Sequence, residues 1–201
     1  MSTAHITHGK EDHHPTVGIY SYSLKIGKWK KKFRAGYYKT LIAEALNCTV
    51  HKGEFKNTIV GYLISERRLC LVLRTEYKKV HRMLNVFYGH LKEEMEKSIE
   101  AAKPNGVELS NKVVGNAEEH LLNLFTEYEL KNAQLIKLIT GRKVRLPYTD
   151  QQLERLKERI RNYPFCSAID YSGGESPVLV KIITNKDWGE YEHLHAKHER
   201  H

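Results

Sequence analysis

Two apolar runs that flank a short polar turn constrain the fold of this chain more than any other feature. The run NTIVGYLIS at residues 57–65 predicts a buried strand, and RLCLVL at 68–73 predicts a second one. Glu66 and Arg67 lie between the two runs as a tight polar turn. The sequence therefore predicts a β-hairpin over this segment.

Hydrophobic periodicity predicts the elements around the hairpin. Residues 17–26 alternate apolar with polar or small residues, which predicts a half-buried strand. From residue 37 the apolar positions recur at helical spacing up to a glycine stop at 51–53, and a long helix covers 78–102. In the second half we expect one or two helices at 117–138, a charged short helix at 150–161 and a short final strand or apolar helix at 178–183.

The order strand, helix, hairpin, long helix begins a ferredoxin-like split arrangement. We predict an α+β fold with a βαββαβ core, in which helices pack on one face of an antiparallel sheet, followed by C-terminal helices. A single domain is expected at 16–183, between His-rich polar tails at 1–15 and 184–201. We expect both tails to be solvated, including the triplet His193-Leu194-His195.

Composition limits the classes of protein to consider. The chain has 201 residues, of which 40% are hydrophobic and 28% charged, and this excludes a wholly disordered chain. No apolar run approaches the roughly 20 residues needed to span a bilayer, and no signal peptide is visible, so we expect a cytoplasmic protein without membrane contact. Three widely spaced cysteines predict small buried side chains rather than a disulfide framework or a zinc site.

Lysine and arginine outnumber aspartate and glutamate by 33 to 24, a formal excess of +9. Cationic chains accumulate on polyanions because neutralised phosphates release their counterions. One run, KWKKKFR at 28–34, interleaves cations with Trp29 and Phe33, whose rings either stack on unpaired bases or pack into the core beneath a solvated loop. A second set follows the hairpin, either as one cationic face or as separate surface charges: Arg67, Arg68, Arg74, Lys78, Lys79 and Arg82.

Two separate stretches resemble one known family. The first, at 37–74, contains the helix YYKTLIAEAL, the exit HKG and the block VGYLISERRLCLVLR. The second, NYPFCSAIDYSGG at 162–174, is similar to a D-Y-P-W-S-S-A-x-x-Y-x-G segment. Both are typical of the single-tyrosine HUH transposases of the insertion-sequence-200 kind, in their repeat-associated branch. The resemblance covers about a quarter of the chain. It implies a ferredoxin-like core, DNA as the partner and a tendency to form a homodimer.

The metal site of that family does not match this sequence. The resemblance implies two histidines on the second hairpin strand, facing one side of the sheet and holding Mg²⁺ or Mn²⁺. Here the matching positions are Arg68 and Cys70, on either side of Leu69. Arginine has no lone pair for a metal, and a thiol is a soft ligand poorly suited to these hard ions. We therefore expect no metal and no other cofactor, whereas Arg68 can still contact a phosphate.

The nucleophilic tyrosine of the family has no clear counterpart either. The resemblance puts it on a helix ahead of the second motif, where Tyr128 in TEYELKNAQL is the nearest candidate. A tyrosine beside leucines on a helix is more commonly a packing residue, and we expect Tyr128 to be structural. Tyr148, in the segment Leu146-Pro147-Tyr148, is a further candidate.

The leading hypothesis is a transposase-like protein that binds single-stranded or hairpin DNA and lacks metal-dependent strand transfer. Two alternatives stay open. One is an active tyrosine transposase or nuclease with a rearranged site, in which Tyr128 or Tyr148 forms a 5′-phosphotyrosine. The other is a protein-interaction module on the same fold. For the leading hypothesis, the expected DNA contacts are Trp29, Lys30, Lys31, Lys32, Arg34, Arg67, Arg68 and Arg74.

Overall fold

A four-stranded antiparallel sheet forms the centre of the protein. The computed structural model describes residues 17–34, 36–51, 53–102, 124–145, 147–184 and 187–188. The strands, in the spatial order β2-β3-β1-β4, are β1 (Val17–Ile26), β2 (Ile59–Ile64), β3 (Arg68–Glu76) and β4 (Phe125–Glu129). The helices are α1 (Tyr37–His51), α2 (Tyr77–Ala102), α3 (Ala133–Ile139) and α4 (Gln151–Arg161). Short 3₁₀ turns lie at Lys28–Lys32, Gly53–Phe55 and Asp170–Ser172. The prediction of an α+β fold is confirmed.

The predicted hairpin is also confirmed, and its turn is closed by Ser65. The Ser65 N–H donates to the carbonyl of Arg68 (2.8 Å), and its hydroxyl accepts the N–H of Arg68 (3.1 Å). A serine that bonds nearby backbone in this way stabilises a tight turn. On its other side, β3 pairs with β1, which places Lys25 opposite Arg68. The turn sets the pairing of β2 with β3, and β3 in turn pairs with β1 along its whole length.

Residues 125–129 form a strand, so the prediction of helix throughout 117–138 is wrong for this part. The strand pairs antiparallel with β1 and places Tyr128 opposite Ser23. Phenylalanine, threonine and tyrosine favour strands, and the long-range pairing with β1 satisfies the backbone groups that a helix would have paired locally. The helix begins later, at Ala133, where the side chain of Asn132 accepts the N–H of Leu135 (2.9 Å). Residues 117–123 lie outside the described residues.

One face of the sheet packs on α1 and α2. Alternate residues of β3, such as Leu69 and Leu71, are fully buried on this face because strand side chains alternate between the two sides. Leu41 of α1 and Phe87 of α2 belong to the same buried cluster, each on the apolar face of its helix. Burial of each such side chain contributes about 1.5–3 kcal/mol. Within the described ranges, no helix is both long enough and apolar enough to cross a membrane.

The opposite face of the sheet is covered by α3, α4 and the chain that follows them. Cys70 and Val72 of β3 lie in this second cluster with Ile160 of α4. The hydroxyl of the buried Ser167 accepts the Tyr62 N–H (2.8 Å) and donates to the carbonyl of Ile139. One serine thus joins β2, α3 and the segment NYPFCSAIDYSGG. Both faces of the sheet therefore carry a buried core.

Residues 175–184 pack on the sheet without regular structure of their own. Residues 178–183, expected as a strand or helix, are neither, although the Lys181 N–H donates to the Ile59 carbonyl (2.8 Å) at the edge of β2. The side-chain amide of Asn47 holds this segment from both sides, donating to the Pro177 carbonyl (2.8 Å) and accepting the Leu179 N–H (2.7 Å). Trp188 is buried although it lies beyond the expected domain boundary at 183. The tail at 1–15 and the triplet His193-Leu194-His195 lie outside the described residues.

Candidate nucleic-acid interface

Cationic side chains gather at the end of the sheet where the β2–β3 turn lies. The loop after β1 is tied to this turn, because Lys30 Nζ and the Tyr38 hydroxyl both donate to the carbonyl of Glu66. The Ile26 N–H also donates to the Arg67 carbonyl (2.9 Å). We call this surface the basic end; its cations are Lys25, Lys28, Lys30, Lys31, Lys32, Arg34, Lys39, Arg67 and Arg68.

Most of the basic end is open to solvent. Lys31, Lys32, Arg34 and Arg67 are exposed, and none of the four takes part in an ion pair with another described residue. The carboxylate of Glu66 is the acidic group on the turn itself. Cations held together without matching carboxylates create a positive potential that attracts phosphates.

The structure places Trp29 in the core, where its ring cannot stack on a base. The side chain is only 2% exposed, and its Nε1–H donates to the carbonyl of Leu124 (2.8 Å). Three aromatic rings pack around it at centroid distances of 6.0–6.3 Å, those of Phe33, Tyr38 and Phe125. Of the two readings that the sequence allowed, packing beneath a solvated loop is the one found. Trp29 is therefore corrected from a DNA contact to a core residue.

Arg68 lies at the rim of the basic end with Tyr128 beside it. Its guanidinium donates to the Ser23 hydroxyl (3.0 Å) and lies 5.7 Å from the centroid of the Tyr128 ring. The three residues share one face of the sheet because Ser23 pairs with Tyr128, and Lys25, two residues on, pairs with Arg68. The ring of Tyr128 is 46% exposed. Tyr128 lies on β4 rather than on a helix. Because β1 lies between β3 and β4, the Arg68 side chain reaches Tyr128 across β1.

The positions that match the family's metal ligands lie on one face, as period two requires, but they suit no hard metal ion. Cys70 is buried, and burial raises the pKa of its thiol. Arg68, two residues before Cys70 on β3, carries a fixed positive charge. A buried neutral thiol and a guanidinium do not form a ligand set for Mg²⁺ or Mn²⁺. The part of the chain that the structure describes contains no group of three or more His, Cys, Asp or Glu side chains placed to hold a metal.

Arg74 lies at the opposite end of the sheet, which separates it from the other expected contacts. The offset from Arg68 to Arg74 along β3 corresponds to roughly 20 Å. Arg74 pairs with Asp187 (3.7 Å), Lys79 with Glu76 (2.6 Å) and Arg82 with Glu54 (2.9 Å). The second set of cations is therefore divided between two ends of the sheet. Arg74, Lys79 and Arg82 are surface charges with acidic partners. Lys78 is exposed at the start of α2.

Two cations of the basic end were not singled out from the sequence. Lys25 follows Ser21 and Ser23 on one face of β1, and strand alternation was the signal that could have identified it. Lys39 has no local signal, because its Nζ donates to the hydroxyl of Tyr163 (2.8 Å), far along the chain. Tyr148, the other candidate nucleophile, is 67% exposed in the segment before α4.

Comparison of the chain with protein-family models, with curated proteins and with solved structures found no match.

Proposed function

We propose that this protein binds single-stranded or hairpin DNA through the basic end and performs no metal-dependent strand transfer. The proposal includes a ferredoxin-like core. The element order β1-α1-β2-β3-α2-β4, with the sheet order β2-β3-β1-β4, supports this part. The relation to single-tyrosine transposases belongs to the same proposal and rests on the residues at 37–74 and 162–174.

The observation that carries the proposal is the convergence of cations at one end of the sheet. Lys31, Lys32 and Arg67 come from two loops that the Lys30 bond to Glu66 holds together. Their side chains are exposed and reach solvent without an acidic partner among the described residues. Such a surface suits the phosphates of a nucleic-acid backbone, which are bound mainly by lysine and arginine.

In this proposal Tyr128, and not the buried Trp29, is the aromatic residue that stacks on an unpaired base. One side of its exposed ring faces the Arg68 guanidinium, and the rest of the ring is available to a base. Stacking of a base on an aromatic ring contributes about 1–3 kcal/mol and requires an unpaired base. Strand cleavage is left out of the proposal because Arg68 and Cys70 supply no ligand for the metal that would polarise the phosphate.

The experiment is a fluorescence anisotropy titration with a DNA hairpin that carries unpaired bases and with a duplex of equal length, at several salt concentrations. We expect tighter binding to the hairpin. We also expect the triple variant Lys31→Ala, Lys32→Ala, Arg67→Ala to lower the slope of log affinity against log salt by about 2, since each phosphate contact on a single strand adds about 0.7.

Two controls separate this proposal from a general effect of charge. The matched variant Lys56→Ala, Lys78→Ala, Arg82→Ala removes three exposed cations elsewhere and should leave affinity and slope unchanged. Tyr128→Ala should weaken hairpin binding, whereas Tyr128→Phe should not, because stacking needs the ring and a nucleophile would need the hydroxyl. Equal binding to both DNAs, or equal loss in the two triple variants, would contradict the proposal.

A further inference from the structure

A second cationic surface lies in the α3–α4 region, in an open groove of about 1070 Å³. The groove runs between the loop 141–145, helix α4 and the turn that contains Tyr171. Its floor is apolar, with Leu138, Ile160 and Ala168. Six cations line it: Arg142, Lys143, Arg145, Arg155, Lys157 and Arg161.

A close contact between two segments and a helix cap hold the walls of the groove in place. At Gly141 the backbone has φ +69°, and the ring of Tyr171 lies so close that a Cβ there would be 2.3 Å from it. On the opposite wall, the Asp150 side chain caps α4 by accepting the N–H groups of Gln152 (2.8 Å) and Leu153 (3.2 Å). The cations on these walls therefore project from a fixed framework.

The charge of the groove is strongly positive. Two carboxylates, Glu154 and Glu158, face the six cations, and Lys157 already engages Glu154 (2.7 Å). Lys143, Arg145, Arg155 and Arg161 are exposed. Four of the six cations are arginines, whose planar guanidinium binds a phosphate through two parallel hydrogen bonds.

The groove adjoins the basic end at Asn162 and Tyr163. Asn162 lines the groove, and the next residue, Tyr163, accepts a hydrogen bond from Lys39 Nζ of the basic end (2.8 Å). The Tyr163 hydroxyl in turn donates to the carbonyl of Ile64, just before the β2–β3 turn (3.1 Å). Tyr163 therefore connects the rim of the groove to the basic end.

We infer that this groove is a second binding surface for the phosphodiester backbone of the strand held at the basic end. The inference rests on the proposed function, which assigns the basic end to DNA. Only a strand long enough to leave the basic end would reach the groove, so its contribution depends on the length of the DNA.

The test compares single-stranded oligothymidylates of about 6 and about 20 nucleotides, since single-strand site sizes are roughly 4–16 nucleotides and only the longer oligonucleotide exceeds them. The full-length variant Lys143→Ala, Arg155→Ala, Arg161→Ala removes three exposed cations of the groove. It should bind the long oligonucleotide at least about tenfold more weakly than the unmodified protein, with a salt slope lower by about 2, and bind the short one with nearly unchanged affinity. Circular dichroism and urea unfolding check that both proteins are equally folded.

Unchanged affinity and slope for the long oligonucleotide in the groove variant would overturn this inference alone. Failure of the unmodified protein to bind either oligonucleotide would remove the proposed function, and the inference with it. An oligoglutamate peptide is the third probe. If it binds the unmodified protein and not the groove variant, while the DNA affinities of the two are equal, the groove accepts acidic peptides and the inference is wrong.

Discussion

The indole of Trp29 joins the loop after β1 to the residue that precedes β4. Its Nε1–H donates to the Leu124 carbonyl, which also accepts the Gly27 N–H (3.0 Å). The ring is enclosed by aromatic neighbours on the α1–α2 side of the sheet. Trp29 thus anchors the backbone from which Lys31 and Lys32 project, and its effect on DNA binding is indirect.

We expect Trp29→Phe to lower the free energy of unfolding by about 1–3 kcal/mol, because it removes one buried hydrogen bond and leaves a small cavity. Urea unfolding measures this change. In the absence of denaturant the folded variant should bind the DNA hairpin with nearly unchanged affinity. A loss of affinity without a loss of stability would instead indicate that the indole contacts DNA.

At the scale of single elements, the segment NYPFCSAIDYSGG acts as a clasp on the edge strand β2. Leu63 and Cys166 form an isolated antiparallel bridge, and the Ser167 N–H donates to the Tyr62 carbonyl (3.1 Å). The Tyr171 hydroxyl donates to the carbonyl of Val60 (2.8 Å). The backbone groups that β2 would otherwise expose at the sheet edge are therefore partly covered.

Ser167→Ala should lower the free energy of unfolding by about 1–3 kcal/mol, because the Tyr62 N–H and the Ile139 carbonyl lose a buried partner. Ser172→Ala is the matched control: its hydroxyl donates to the Ala168 carbonyl (2.9 Å) at an exposed site, where water can replace it. Chemical denaturation of both variants measures the difference. Equal stability of the two would show that Ser167 does not hold the clasp.

At the scale of the whole molecule, burial raises the pKa of six described tyrosines, and the shift is large at three of them. Burial raises the pKa of Tyr62, Tyr88 and Tyr171, in the last case to about 12 from an ordinary value of 10.0. At Tyr88 the Glu127 carboxylate, which accepts a hydrogen bond from the Tyr88 hydroxyl (2.7 Å), acts in the same direction. The folded protein therefore keeps protons that the unfolded chain loses in alkali.

The free energy of unfolding should fall as the pH rises above about 10, with a contribution of up to about 1.4 kcal/mol per pH unit from each such group. Below that pH both states are protonated and these groups add no pH dependence. For Tyr171 the decrease continues up to its folded pKa of about 12.

Urea midpoints measured across this alkaline range test the prediction. Tyr171→Phe should reduce the slope of stability against pH, and Tyr148→Phe, at an exposed position, should leave it as it is. A slope that Tyr171→Phe does not change would contradict the assignment.

The local pattern of the sequence was sufficient to predict β1, the β2–β3 hairpin, α1, α2 and α4. In these segments the apolar residues recur with the period of the element, and burial of one face follows directly from that period. The sequence also sufficed to predict that the positions of Arg68 and Cys70 share a sheet face and that neither suits a hard metal ion. These conclusions need only the alternation of a strand and the chemistry of two side chains.

Tertiary structure alone decided the rest, because it depends on contacts between residues far apart in the chain. Pairing with β1 made Tyr128 part of a strand, and packing against Phe125 and Tyr38 buried the Trp29 ring. The length of β3 separated Arg74 from Arg68, and the packing of α4 on α3 created the cationic groove. A local pattern can specify which side of an element is apolar. Long-range pairing decides which other element covers that side and which charged residues lie around it.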